Sequence, residues 1–257
     1  MPREVMSSLA TTRRTSGRIS SSSGEVVSLG DVLEVYTPEL TRFLFASTRP
    51  NTEFAISFDL DVLKLYEDYD NCERRYFGIL PCNEKKLAME RRVYELSQVG
   101  DVPKTPGYQI PFRHLCNLLQ INSGDIDAVI ASLPDVSEDQ IERLRTRCRC
   151  AWTWITTFSP EDFRFSVATA DTPKVELDDD SLKAVRALCA KVQGWDGADE
   201  KALSQLVYDA AAEAGVENTV LFTATYMALI GKEKGPKLAG FINTLGKARV
   251  LDILSKY

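Results

Sequence analysis

The chain has 257 residues, a net charge of −6 and a single histidine, with 44% hydrophobic and 26% charged residues. That is the mix of a soluble globular protein with room for one large domain or two smaller ones. No stretch approaches the roughly 18 consecutive apolar residues of a membrane span. The Ser/Thr/Arg-rich first 23 residues lack the apolar run of a secretory signal. The expected location is therefore cytoplasmic, with no membrane partner.

In chain order, residues 1–25 read as a flexible N-terminus. Thr37-Pro38 is a cap followed by proline at the first helical position, leading into Leu40, Phe43 and Leu44. Phe54, Ile56 and Phe58 alternate as in one strand or an extended linker. Residues 59–77 place Val62, Leu65, Tyr66, Tyr69, Cys72 and Tyr76 at helical spacing, and residues 84–98 suggest another helix. Gly100 to Pro111 is a proline- and glycine-rich loop. Ser137-x-x-Gln140 is a capping box before Ile141, Leu144, Cys148, Ala151, Trp152 and Ile155. Phe158 to Val175 is irregular. A helix capped by Asp179 or Asp180 follows, then one after Asp199 that Gly215 stops. Another runs from Asn218 to Gly231, one opens at Pro236 and closes at Gly246, and a last one carries Val250, Leu251 and Leu254. The expected class is all-α or nearly all-α.

Motifs exclude much chemistry. One histidine, His114, removes most histidine-based catalysis, and its simplest role is structural. The chain has no GxxxxGK[ST], GxGxxG or GxSxG, so P-loop, dinucleotide and nucleophile-elbow sites have no support. Six scattered cysteines, with one Cys148-Arg-Cys150, have neither zinc spacing nor a disulfide pattern. No metal and no cofactor are expected in this chain. The negative net charge leaves nucleic-acid binding to local patches; DNA is not an expected partner. Arg143, Arg145, Arg147 and Arg149 alternate, so on a helix they spread around it and do not form one stripe.

One loop suits phosphate: Gly17-Arg18-Ile19-Ser20-Ser21-Ser22-Ser23-Gly24-Glu25, with hydroxyls, backbone N–H groups, glycines and a cation. With the segment VVSLGDVLEVYTPELTRFLFASTRPNTEFAISFDLDVLKLYEDYD behind it, this loop resembles the KMSKS-type region of class I lysyl-tRNA synthetases. The likeness continues through RRVYELSQVG, PFRHL, CAWTWI, SPEDFRF and MALIGKEKGPKLAGFINTLG, and covers about residues 17 to 257. By position, Arg18 stands for the first motif lysine, Ile19 for the methionine, and Ser20, Ser21 and Ser22 for the serines. The resemblance implies that these five residues contact the triphosphate of Mg-ATP in an intact enzyme. Ser23 replaces a second lysine, which removes a cation, and Glu25 replaces an asparagine, which sets a negative charge beside phosphate; arginine for lysine is not neutral there. The family's HIGH-type motif and Rossmann domain have no counterpart here. The chain alone is expected to be inactive, as a fragment or as one chain of a split enzyme whose partner is a separate catalytic chain.

The resemblance further implies a stem-contact helical region at 26–105 and a helical anticodon-binding domain, an α-helix cage, at 106–257. The partner would be tRNA-Lys. Stacking candidates are Trp154, which lies off the apolar stripe that carries Trp152, and Trp195, in a Gly-Trp-Asp-Gly turn. Phosphate candidates are Lys232, Lys234 and Lys237, around the helix start at Pro236. A free-standing, non-catalytic RNA-binding or helical interaction module derived from such an enzyme is the alternative.

Overall fold

The computed structural model describes residues 28–49, 52, 56–169, 171–197 and 200–257. Among the described residues the regular elements are all helical: α1 (Leu29–Val35), α2 (Pro38–Ala46), α3 (Asp61–Tyr76), α4 (Glu84–Ser97), α5 (Phe112–Ile121), α6 (Ile126–Ser132), α7 (Glu138–Thr153), α8 (Asp179–Gly194), α9 (Glu200–Ala214), α10 (Asn218–Ile230), α11 (Leu238–Leu245) and α12 (Lys247–Leu254). A π-helical turn (Trp154–Phe158) extends α7, and a 3₁₀ turn spans Glu161–Phe163. The expected all-α class holds. Ile56 to Phe58 carry no regular structure.

The helices begin where side chains can satisfy free N–H groups. Ser28 and Asp31 form a reciprocal capping box on α1, with N–H donations at 2.9 and 3.2 Å. The Thr37 hydroxyl accepts from the Leu40 N–H at 3.3 Å, with Pro38 in the first turn, as expected. Ser137 caps α7, and its N–H donates to the Gln140 side chain at 3.4 Å. Two expected starts move. The cap of α8 is Asp178, whose carboxylate accepts from the Ser181 N–H at 2.8 Å. The next helix after Pro236 opens at Leu238 with Lys237 as cap, and the Pro236 carbonyl accepts from the Tyr226 hydroxyl. At the other ends, Gly231 (φ 65°) terminates α10 in a left-handed conformation that costs glycine nothing.

The chain divides into two compact units. The first holds the described residues up to Phe112 together with Val136–Pro160, hence α1 to α4 and α7. The second holds Arg113–Asp135 and Glu161–Tyr257, hence α5 beyond Phe112, α6 and α8 to α12. The division is therefore not a single cut near residue 105: α7 packs with the first unit. Its reason is visible in the partners of α7, described below.

The core of the first unit is aromatic. Tyr66 stacks on Phe112 with ring centroids 3.6 Å apart, and its hydroxyl donates to the Val35 carbonyl at 2.8 Å. Phe58 stacks on Phe158 at 4.6 Å. The core of the second unit is aliphatic and is built from α8 (Ala184, Val185, Leu188, Val192), α9 (Leu203, Val207, Ala210) and α10, with α11 and α12. Ile121 of α5 joins this core, and the Gln120 side chain accepts from the Phe165 N–H at 2.7 Å.

Candidate functional site

In the first unit, the polar residues on the inner faces of α3 and α7 form a buried ion network. Asp70 and Glu73 lie three apart on α3, and Arg143 and Arg147 lie four apart on α7, so each pair shares a face. Arg147 donates two parallel hydrogen bonds to Asp70, at 2.7 and 2.6 Å, and a third to the Ile110 carbonyl at 3.1 Å. Its guanidinium also lies 5.0 Å from the Tyr66 ring centre. Arg143 donates to Glu73 at 2.7 Å and to the Tyr69 hydroxyl at 3.3 Å. Glu73 accepts further bonds from Tyr94 (2.8 Å) and Gln109 (2.5 Å). Burial alone would pull the Arg147 pKa down; Asp70 outweighs it, and the guanidinium is held above its usual range. Burial pushes the Tyr69 and Tyr94 hydroxyls up as well.

The alternating arginines thus split. Arg143 and Arg147 turn inward, while Arg145 and Arg149 pair with Glu142 at 3.8 and 3.6 Å. A cavity of about 340 Å³ opens beside the network, lined by Thr37, Tyr69, Tyr108 and Arg143 among others. The charged groups of Arg143 and Glu73 that reach it are already paired with one another, so the network is a structural clamp.

The tryptophan candidates are corrected by their burial. Trp154 has no exposed surface, and its indole N–H donates to the Phe58 carbonyl at 2.8 Å. Trp152 is only half-buried. The expected stripe of α7 holds at Leu144, Cys148, Ala151 and Ile155, all buried, and the inward face extends beyond it on the side of Arg147, Cys150 and Trp154, which leaves Trp152 at its margin. An inward arginine hides that extension. Trp195 is 4% exposed. The ring packs in the aliphatic core, where burial is worth about 25 cal/mol per Å². Neither ring is presented for base stacking in this structure.

The lysines stand on the second unit, between α10 and α11. Gly235 lies against the Tyr226 ring so closely that an added Cβ would sit 2.8 Å from it. Together with the bond from Tyr226 to Pro236, this pins the loop to α10. Lys232 donates to the Glu161 carbonyl at 2.6 Å, Lys234 is exposed, and Lys237 pairs with Glu200 at 3.2 Å.

Next to Lys237 lies a cleft of about 340 Å³. His114 and Asn117 of α5 line one side, Gly240, Asn243 and Thr244 of α11 another. Glu200 and Lys237 also line it, with Ile121 and Phe241 as apolar ground. Burial lowers the His114 pKa, and Glu200 partly offsets this. Asn117 and Asn243 were not singled out from the sequence. The only signal was the three-residue spacing from His114 to Asn117, which without a fold has no facing helix. Arg18, Ile19, Ser20, Ser21 and Ser22 lie outside the described residues, as does any geometry for a triphosphate. Among the described residues no group of histidine, cysteine and carboxylate side chains could hold a metal ion, and no helix is long and apolar enough to cross a membrane.

Comparison with known proteins matches residues 1–100 to the family model "tRNA synthetases class I (K)" and residues 128–257 to "Anticodon binding domain". The chain is 51% identical over 244 residues to a lysine–tRNA ligase of Treponema pallidum, covering 94% of this chain and 46% of that protein. It is 47% identical over 242 residues to the lysine–tRNA ligase of Borreliella burgdorferi (94% and 46%) and 33% identical over 246 residues to that of Thermococcus kodakarensis (91% and 46%). The chain thus spans about half the length of the curated relatives it matches. With these matches running through both compact units, the chain belongs to the class I lysine–tRNA ligase family, its residues 128–257 falling within the anticodon-binding domain.

Proposed function

We propose that this chain is the tRNA-binding, C-terminal portion of a class I lysine–tRNA ligase, with tRNA-Lys as its RNA partner and the cytoplasm as its location. One observation carries the reading: the part that matches the anticodon-binding domain also presents the lysine loop beside an open polar cleft. Lys232, Lys234 and Lys237 are its phosphate contacts. A net charge of −6 requires that binding come from such a local patch. In the intact enzyme, which couples ATP to the attachment of lysine, Arg18 to Ser22 meet the triphosphate. The remaining half of the relatives' length supplies the catalytic body, in the same polypeptide or as a separate chain.

Filter-binding titration with tRNA-Lys and with anticodon-substituted tRNA tests this. Tighter binding of tRNA-Lys is expected; equal, negligible affinity for both would remove the reading. The chain alone is expected to give no lysine-dependent pyrophosphate exchange, and robust exchange would overturn that part. The departures at Arg18, Ser23 and Glu25 favour a second reading, a non-catalytic RNA-binding module derived from the enzyme. It predicts the same RNA affinity but no restoration of aminoacylation when a catalytic half is supplied.

A further inference from the structure

We propose that the cleft between α5 and α11 receives one unpaired nucleobase of the bound tRNA, and that Asn117 and Asn243 read its edge. The inference rests on the tRNA-binding reading above and assigns the residues that would discriminate between bases.

The geometry argues for a base in particular. The cleft, about 340 Å³, falls in the range of small-ligand sites, roughly 300–1,000 Å³. Two helices supply its polar groups in register. His114 and Asn117 are three apart on α5, and Gly240, Asn243 and Thr244 are three and four apart on α11, so each set lies on one helical face. The side chains of His114, Asn117 and Asn243 make no hydrogen bond among the described residues, whereas the Thr244 hydroxyl is committed to the Gly240 carbonyl at 2.7 Å. The cleft thus differs from the cavity of the first unit, where the Arg143 and Glu73 charges are consumed internally.

An asparagine amide carries a donor and an acceptor side by side, the complement of a base edge. Phe241 and Ile121, both buried, give apolar ground under a flat ring. Gly240 keeps the α11 wall low: a Cβ there would come within 3.3 Å of the Glu200 carboxylate. Glu200 also decides against a bare anion as the occupant. A phosphate in the cleft would face that carboxylate, with Lys237 alone to offset it. A base places its amino or imino donors toward Glu200 and leaves its phosphate to Lys237. The Lys237–Glu200 pair is well exposed, at 78% and 45% of the side-chain surface. Such pairs hold weakly, so a phosphate can draw the ammonium away.

The test titrates the purified 257-residue chain with tRNA-Lys transcripts in which each unpaired anticodon-loop base is replaced in turn. The proteins are the unaltered chain, Asn117→Ala, Asn243→Ala and Lys237→Ala, with melting curves to confirm that each folds. The unaltered chain should prefer one base at one position by roughly tenfold. Each asparagine variant should reduce that preference toward unity and leave the other positions unchanged. Lys237→Ala should weaken every RNA alike and lower the slope of log affinity against log salt by about one. Asparagine variants that keep the full pattern of base preferences would overturn the inference and leave the tRNA-binding reading standing. An unaltered chain that binds all the RNAs equally would overturn it too. No measurable affinity for any RNA would remove both.

Discussion

At Arg147 two opposing effects meet. Desolvation disfavours the guanidinium, and the two parallel bonds to Asp70 restore it with a margin that raises its pKa. Removing one partner leaves the other charged and dry. Asp70→Ala should therefore cost about 3–5 kcal/mol of stability, seen as a fall in the urea midpoint. Replacing Asp70 and Arg147 together by apolar residues of similar volume should cost less. A single variant no worse than the double one would show that the pair is not a clamp. His114 makes a separate, pH-dependent prediction. Burial lowers its pKa in the folded chain, so the unfolded chain binds the proton more readily. Stability contributed by neutral His114 is fully present above the ordinary imidazole value of 6.5 and is lost as pH falls from there through the lower value of the folded chain. Glu200 and Lys237 are the charged groups that share its cleft. Because it is the only histidine, His114→Gln should flatten the Tm profile between about pH 7 and pH 5. An unchanged slope would refute the assignment.

Elements were largely legible from local signals, and the failures have specific causes. Thr37-Pro38, Ser137-x-x-Gln140, Gly231 and Gly246 act at the positions expected of them, because caps depend on backbone groups within four residues. The inner face of α7 is wider than the apolar letters suggest: Leu144, Cys148, Ala151 and Ile155 are buried as expected, but so is Trp154 and not Trp152. Its added side carries Arg147, and hydrophobic periodicity cannot see an inward arginine. The consequence is measurable. Trp154→Ala should lose about 3–5 kcal/mol, since the ring is wholly buried and its N–H is bonded to Phe58. Trp152→Ala, at a half-buried position, should lose distinctly less. Equal losses measured by chemical denaturation would contradict the register. The same inward turn explains why four alternating arginines contribute two cations to the interior and two to the surface.

In the whole molecule, each compact unit is built from two separated stretches of chain, so a cut near residue 105 divides a core. A fragment of residues 106–257 would carry α7 without Asp70, Glu73 and Phe58, the groups that satisfy it. Limited proteolysis should cut that fragment first within 136–160, a stretch that stays protected in the full chain. First cleavage elsewhere would mean that α7 folds independently of the first unit. The sequence by itself determined the helical class, the capped ends of most helices and, through long ungapped blocks, the family, because these depend on neighbours along the chain and on accumulated identity. Tertiary structure alone decided the orientation of Trp154, Trp195 and the alternating arginines. It also decided the return of α7 to the first unit and the placing of Asn117 and Asn243 along one cleft beside Lys237. Each of these depends on which distant face a side chain meets, and spacing along one helix leaves that choice open.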